Sequence, residues 1–239
     1  MSIFHSHDPS LAVEKLNCRL SVFGAGGVGK TKMVERLIHG TYTDRYRPTV
    51  EDYHERVQKF QGVSLTIEIV DTSGTNQFPD MRKLNIRQSN LLLLVYDVSQ
   101  PRTFEEVKRL YDIARQISND CVIVIVGAKC DLLPTETMCK HGGTDIATKF
   151  LTEKQDVYSF HRLCSAKMDT DMDTLLQTAL SSLFPDIIKR HETCTTAWCT
   201  FRQHNVANKF HAPESRYGVR CMCRQMAAYV VNKLHLEER

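Results

Sequence analysis

The apolar run CRLSVFG (residues 18–24) feeds straight into the glycine-rich segment GAGGVGKT (24–31) and then into TKMVERLIHG (31–40). That order constrains the fold more than anything else in the chain. The run reads as a buried strand, and the segment after the glycines has helical spacing, with Met33, Leu37 and Ile38 on one face and Gly40 as its stop. Gly24-x-x-x-x-Gly29-Lys30-Thr31 fits the Walker A pattern, in the strand-to-helix setting that the pattern requires. Glycines let the backbone wrap a phosphate chain, so that N–H groups across Gly26, Gly27, Val28 and Gly29 point at the anion together with the helix N-terminus. Lys30 brings a point charge to the outer phosphates, and the Thr31 hydroxyl suits Mg²⁺. By itself the motif says only that a nucleotide triphosphate is held by a P-loop; ATPases and nucleotide kinases stay open.

The remainder alternates between the two periods of regular structure. EDYHERVQKF and VSLTIEIVD read as strands joined at Gln61 and Gly62 like a hairpin. LLLLVYDVS and CVIVIVG are near-continuous apolar runs, as expected of strands covered on both faces of a parallel sheet. FEEVKRLYDIARQI between them is an amphipathic helix. Past Asp131 the pattern weakens into a polar loop with Gly142 and Gly143, then a helix at DIATKFLTEK. A last strand over residues 157–163 leads to CSAK, and a closing helix is expected over TLLQTALSSLFPDIIKR. The expected fold is α/β: a doubly wound, mostly parallel sheet whose ligand loops lie at the strands' carboxyl ends. The expected division is a polar leader over 1–14, the nucleotide domain over 15–190 and a C-terminal tail over 191–239.

Composition narrows the setting. The chain has 239 residues, 42% hydrophobic and 25% charged, which is ordinary for a water-soluble protein. Its net charge of +3 is too small to argue for a nucleic-acid partner, and none is expected. That charge resides in the tail, where seven Lys/Arg face four Asp/Glu. Nine cysteines could suggest a disulfide scaffold. MSIFHSHDPSLAVEKLN, however, lacks an apolar signal core, and no run reaches the length of a membrane span. A reduced, cytoplasmic chain with free thiols is the reading.

YRPTVEDY places Thr49 in a loop after the first helix, and VDTSG ends a strand with Asp71 and then Gly74. With GAGGVGK, RPTVED and DTSG-x-x-QFP in this order, the chain resembles the Ras family of small GTPases over roughly Lys15 to Arg190, sitting closest to the Di-Ras and Rhes-like branches. The resemblance implies a GTP/GDP switch in signal transduction. In it Thr31, Thr49 and Asp71 hold Mg²⁺, Lys30, Thr49, Gly74 and Thr75 surround the reacting phosphate, and loss of the third phosphate frees both loops. VGAKCD resembles the family's base-reading loop. There Lys129 underlies the base, Tyr42 covers its other face, and Asp131 accepts from the ring N–H and exocyclic amine of guanine. Ser165, Ala166 and Lys167 of CSAK complete the site, with the Ala166 N–H donating to the guanine carbonyl. A carboxylate at Asp131 would repel adenine, whose ring nitrogen is a bare acceptor.

Two positions depart from the family pattern. Where a glutamine usually orients the attacking water, this chain has Thr75, whose single short hydroxyl cannot both accept from water and donate to the phosphoryl group. Gln77 lies two residues further on, and no arginine finger is evident: Arg45 and Arg47 lie in the loop that carries Thr49, where plain surface positions are the other reading. Where the base loop usually starts with asparagine there is Ala128, which is expected to weaken affinity more than selectivity. Together they imply slow hydrolysis and loose holding. A pseudo-GTPase that binds without turnover and serves as a scaffold is the alternative. A small-metabolite kinase is disfavoured, because no arginine-rich lid is found.

Glu51, Asp52 and Tyr53 follow Thr49 on an expected edge strand. By resemblance they form an effector surface for a basic partner strand; a solvated acidic edge that guards against aggregation is the other reading. Exchange factors and GTPase-activating proteins are further expected partners. The tail ends HLEER, without a prenylation box. Cys221 and Cys223 lie among Arg216, Arg220 and Arg224, a composition that could take acyl chains beside acidic lipid, so peripheral contact with the inner plasma membrane stays open. MAAYVVNKLHL could form a short amphipathic helix. His191, Cys194, Cys199 and His204 fit no compact zinc spacing.

Overall fold

The structure is a computed structural model that describes residues 14–45, 48–60, 63–74, 78–133, 144–169 and 171–185. These lie in the first of two compact units, Met1–Thr193; the tail readings at Cys221, Cys223 and His191 to His204 fall outside the described residues. Six strands form one sheet in the order β2-β3-β1-β4-β5-β6: β1 (Glu14–Gly24), β2 (Glu51–Phe60), β3 (Val63–Thr72), β4 (Leu91–Asp97), β5 (Val122–Ala128) and β6 (Ser159–Leu163). Every pairing is parallel except β2 with β3, so the sheet is mostly parallel and doubly wound, as expected. β1 starts at Glu14, four residues before the apolar run, because its ladder with β3 continues to the Glu14–Val63 pair.

Side chains alternate across each strand and so build two cores. On one face Leu20, Val22, Ile67, Leu93 and Val124 meet α1 (Lys30–His39) and α5 (Met172–Leu183) through Met33, Leu37, Leu175 and Ala179. On the other, Phe23, Leu92, Leu94 and Ile123 meet α2 (Pro79–Gln88), α3 (Phe104–Ile117) and α4 (Thr144–Lys154) through Ile86, Phe104, Leu110 and Phe150. All seven residues of β4 are buried, which explains its unbroken apolar run. Truncating one of them, as in Leu93→Ala, would cost about 2–5 kcal/mol.

Two helices differ from expectation. No helix was expected over residues 79–88, because only Asn85 and Ile86 of α2 are buried while Met81 and Leu84 stand exposed; Pro79 at its first turn sets the start. The closing helix starts two residues early, at Met172, and stops at Leu183, with the Phe184 N–H bonded to the Leu180 carbonyl. Phe184 precedes Pro185, and a residue before proline is pushed out of the helical region.

Candidate functional site

The carboxyl ends of β1, β3, β4 and β5 converge on one rim, and the motif loops follow them. Gly24 has φ +148° and packs so tightly on β4 that a Cβ there would lie 2.1 Å from the Val95 carbonyl oxygen. Gly27 and Gly29 are left-handed, at φ +76° and +106°, which turns the loop back into α1. Lys30, the first residue of α1, is only 6% exposed. Its ammonium donates to the Gly24 and Ala25 carbonyls, both at 2.9 Å. Burial pushes its pKa down to about 8, with Asp71 and then Glu106 offsetting part of the shift. Val28 turns its side chain into the core, so it can offer this loop only backbone.

Beside Lys30 lies a corner of oxygens. The Thr31 and Thr49 hydroxyls are 2.8 Å apart. Asp71, at the end of β3, is fully buried, and neither of its carboxylate oxygens makes a well-formed hydrogen bond among the described residues. Desolvation raises its pKa, although the Thr31 hydroxyl and the Lys30 charge pull the other way. A buried carboxylate with no well-formed hydrogen bond among the described residues, next to one hydroxyl that meets a second, fits a hard divalent cation such as Mg²⁺. The DTSG loop then closes on the phosphate loop backbone to backbone: a Cβ on Gly74 would fall 2.4 Å from the Gly26 Cα. The Ser73 N–H also donates to the Val50 carbonyl at 3.0 Å, joining this loop to the segment after Thr49. Thr75 and Gln77 lie outside the described residues, as does Arg47.

The phosphate loop, Lys30, Thr31, Thr49 and Gly74 border a cavity of about 570 Å³ that also takes in Tyr42 and Lys129, while Asp71 is buried behind its wall. Burial first, then Asp44 and Asp131, raises the Tyr42 phenol, so the ring lies within electrostatic reach of the base loop. Asp131, Ser165, Ala166 and Lys167 stand beside the cavity rather than in its wall. Ser165 donates to the Asp131 carboxylate at 2.6 Å and accepts the Met168 N–H at 3.1 Å, which fixes that carboxylate. Ala128 turns its methyl into the core, and its carbonyl accepts the Val98 N–H at 3.1 Å.

Three residues of this region escaped the sequence reading. Arg36, on α1, donates to the Ala166, Gly40 and Lys167 carbonyls at 2.7, 2.7 and 3.2 Å, pinning the CSAK loop to the helix that starts at the phosphate loop. Asp97 is 1% exposed and pairs with Lys129 at 2.7 Å. Asn85, on α2, donates to Glu51 and accepts from Arg19 at 3.2 Å. A charge ending the apolar run LLLLVYD was the one local signal for Asp97. Of the expected effector segment, Asp52 and Tyr53 are exposed on β2, the sheet's edge, while Glu51 is engaged inward by Asn85.

A strand-to-helix phosphate loop, an oxygen corner for a hard cation and a carboxylate aimed from a neighbouring loop define a P-loop nucleotide protein on a doubly wound sheet. The Ras family model matches residues 19–184, and the chain belongs to that family. It is similar to the GTP-binding protein Di-Ras2 of Pongo abelii, 41% identical over 120 residues, covering 49% of this chain and 60% of that protein. Human GTP-binding protein Di-Ras1 is 40% identical over 116 residues, covering 47% and 59% respectively. Human GTP-binding protein Rhes is 30% identical over 192 residues, covering 76% of this chain and 70% of Rhes. The chain thus spans only about 60% of the length of the Di-Ras relatives it matches.

Proposed function

We propose that this chain is a guanine-nucleotide switch that binds GTP and GDP with Mg²⁺ and hydrolyses GTP slowly. The observation that carries the reading is Asp71, a fully buried carboxylate with no well-formed hydrogen bond among the described residues, beside Lys30 and the Thr31 hydroxyl, which itself meets the Thr49 hydroxyl. Mg²⁺ there would supply positive charge to the outer phosphates of a bound nucleotide. Lys30 exchanges its two carbonyl acceptors for phosphate oxygens, and the backbone of Gly26 to Gly29 donates N–H groups to the chain. Gly74, packed on Gly26, is placed to sense a terminal phosphate. Asp131, held by Ser165, accepts from the donor edge of guanine and rejects adenine.

Slow turnover follows from what the positioning residues lack. Thr75 has no carboxamide to orient water, so hydrolysis rests on Lys30, Mg²⁺ and the backbone donors. Ala128 removes one or two hydrogen bonds, about 1–3 kcal/mol, from the holding of nucleotide. Fast release and slow hydrolysis both move the resting population towards the triphosphate state. Effectors would meet the segment from Thr49 to Tyr53, and exchange factors and GTPase-activating proteins would act on the same loops. The basic, cysteine-bearing tail supports a cytoplasmic protein that touches anionic membrane.

Extraction of nucleotide from denatured, purified protein tests the reading, and guanosine phosphates are the expected content. Single-turnover hydrolysis and release are then compared across wild type, Thr75→Gln and Ala128→Asn. Thr75→Gln should speed hydrolysis, and Ala128→Asn should slow release five- to hundredfold. A wild type that hydrolyses as fast as Thr75→Gln would defeat the slow-switch reading; a wild type that binds GTP without any turnover would identify a scaffold.

A further inference from the structure

We propose that Asp97 is a positioning residue for the base end of the site: it holds Lys129 in place as the bridge between the base-reading loop and the phosphate loop. The inference rests on the guanine-nucleotide reading and names a residue that the reading does not use.

Asp97 ends β4 and is almost wholly buried. One carboxylate oxygen accepts from the Ser99 N–H at 2.9 Å and the Ser99 hydroxyl at 2.6 Å. The other accepts the Lys129 ammonium at 2.7 Å and the Gln100 amide at 3.3 Å. Its own N–H donates to the Thr103 hydroxyl at 3.0 Å, which anchors the backbone behind the carboxylate. Desolvation would raise its pKa, but the bonds from Lys129 and Ser99 outweigh it and hold the group below the usual carboxylate range.

Lys129 needs such a hold. Its backbone is left-handed at φ 61°, a region that residues with a side chain adopt at a cost. Its side chain is 34% exposed and flexible, and could otherwise reach into solvent. Tied to Asp97, the same ammonium donates to the Gly27 carbonyl at 2.8 Å. Among the described residues, this is the side-chain hydrogen bond that joins the base loop to the phosphate loop. Ala128 cannot make another, because its side chain is a methyl group turned into the core. The Lys129 stem also runs beside the phosphate loop, its Cε 3.8 Å from where a Cβ on Gly29 would lie. Asp97 therefore sets both the crosslink and the position of the platform under the base.

The test loads the full chain with Mg²⁺ and a fluorescent ribose-modified GDP and measures release against excess GDP. Wild type is compared with Asp97→Asn, which keeps the shape and removes the charge, and with Asp97→Ala, Asp97→Glu, Lys129→Ala and the Asp97→Ala/Lys129→Ala double variant. Asp97→Asn and Asp97→Ala should release about tenfold faster, the scale of one charge-assisted hydrogen bond, with Asp97→Glu recovering part of the loss. The double variant should match Lys129→Ala within about twofold, because Asp97 acts through Lys129. Release from Asp97→Asn at the wild-type rate overturns the inference. So does an equal acceleration by Asp97→Ala with Lys129 present and absent, which would mark a purely structural role. A wild type that takes up no GDP overturns the guanine-nucleotide reading itself, and that result is read before any variant is compared.

Discussion

The Thr31 hydroxyl lies 2.8 Å from the Thr49 hydroxyl, joining the first turn of α1 to the loop before β2. Desolvation raises the pKa of the buried Asp71 carboxylate and the Thr31 hydroxyl in turn pulls it down, so a cation in that corner would draw Thr49, and the segment behind it, onto the nucleotide. Thr49→Ala should therefore weaken GTP binding in Mg²⁺ by about tenfold, the scale of one lost oxygen contact, and leave GDP binding within about twofold. Competition titration of the two nucleotides against a fluorescent analogue reads the difference. Equal losses for GDP and GTP would contradict a role for Thr49 in sensing the third phosphate.

Asp71 stores an electrostatic penalty in the metal-free protein. Its pKa in the folded state is raised by desolvation above the unfolded value, so the folded state binds the proton more tightly. Stability of the metal-free protein should then rise as pH falls through the folded-state pKa, and the full penalty is present above it. Asp71→Asn removes the charge and should stabilise the metal-free protein at neutral pH by about 1 kcal/mol, or ~2–4 °C in Tm. The same change should abolish the further stabilisation that Mg²⁺ and GDP give to wild type. Thermal unfolding with and without the metal checks both halves.

Lys30 gives the opposite sign on the alkaline side. Burial lowers its pKa to about 8 in the free protein, whereas an anion bound against it favours the charged form. Affinity for nucleotide should stay level below about pH 8 and fall above it, by at most about one decade per pH unit. Lys30→Arg keeps a charge through that range and should flatten the fall, whatever it does to affinity at neutral pH. Equilibrium binding from pH 6.5 to about 9.5 tests the slope.

Gly74 and Gly26 meet so closely that a methyl group on Gly74 has no room, and the atoms in its way are backbone. Gly74→Ala should push the DTSG loop off the phosphate loop. GDP binding should persist, while single-turnover GTP hydrolysis falls at least about tenfold, because a backbone donor leaves the terminal phosphate. The loop borders the cavity and can yield, so unfolding stability should change by less than about 1 kcal/mol. A variant that hydrolyses GTP at the wild-type rate would show that this close approach has no part in turnover.

Much of the architecture was legible residue by residue. The 3.6-residue period of FEEVKRLYDIARQI matches α3 at both ends, since five of its side chains go into the core and report the period. The apolar run of β4 reports burial on two faces. α2 stayed hidden because two buried residues in ten make no period, and the stop of α5 was obscured by apolar residues that continue past Leu183. At the site, the glycine loop, Lys30 and Thr31 could be named because strand, loop and helix follow one another directly in the chain, and Asp71 only through the resemblance carried by the order of the motifs. Arg36, Asp97 and Asn85 could not, since their partners lie on other elements, up to 131 positions away.

Sequence by itself therefore determined the kind and order of the elements other than α2, and the phosphate-binding motif, because these depend on periodicity and on glycine geometry within a few residues. Tertiary structure alone decided that Thr49 meets Thr31, that Asp71 is buried without a well-formed hydrogen bond among the described residues, and that Lys129 is shared between Asp97 and Gly27. Those outcomes depend on the order in which the strands lie side by side. The sheet order β2-β3-β1-β4-β5-β6 brings the carboxyl ends of β1, β3, β4 and β5 to one rim, and burial there fixes which charges find partners and which are left for a ligand.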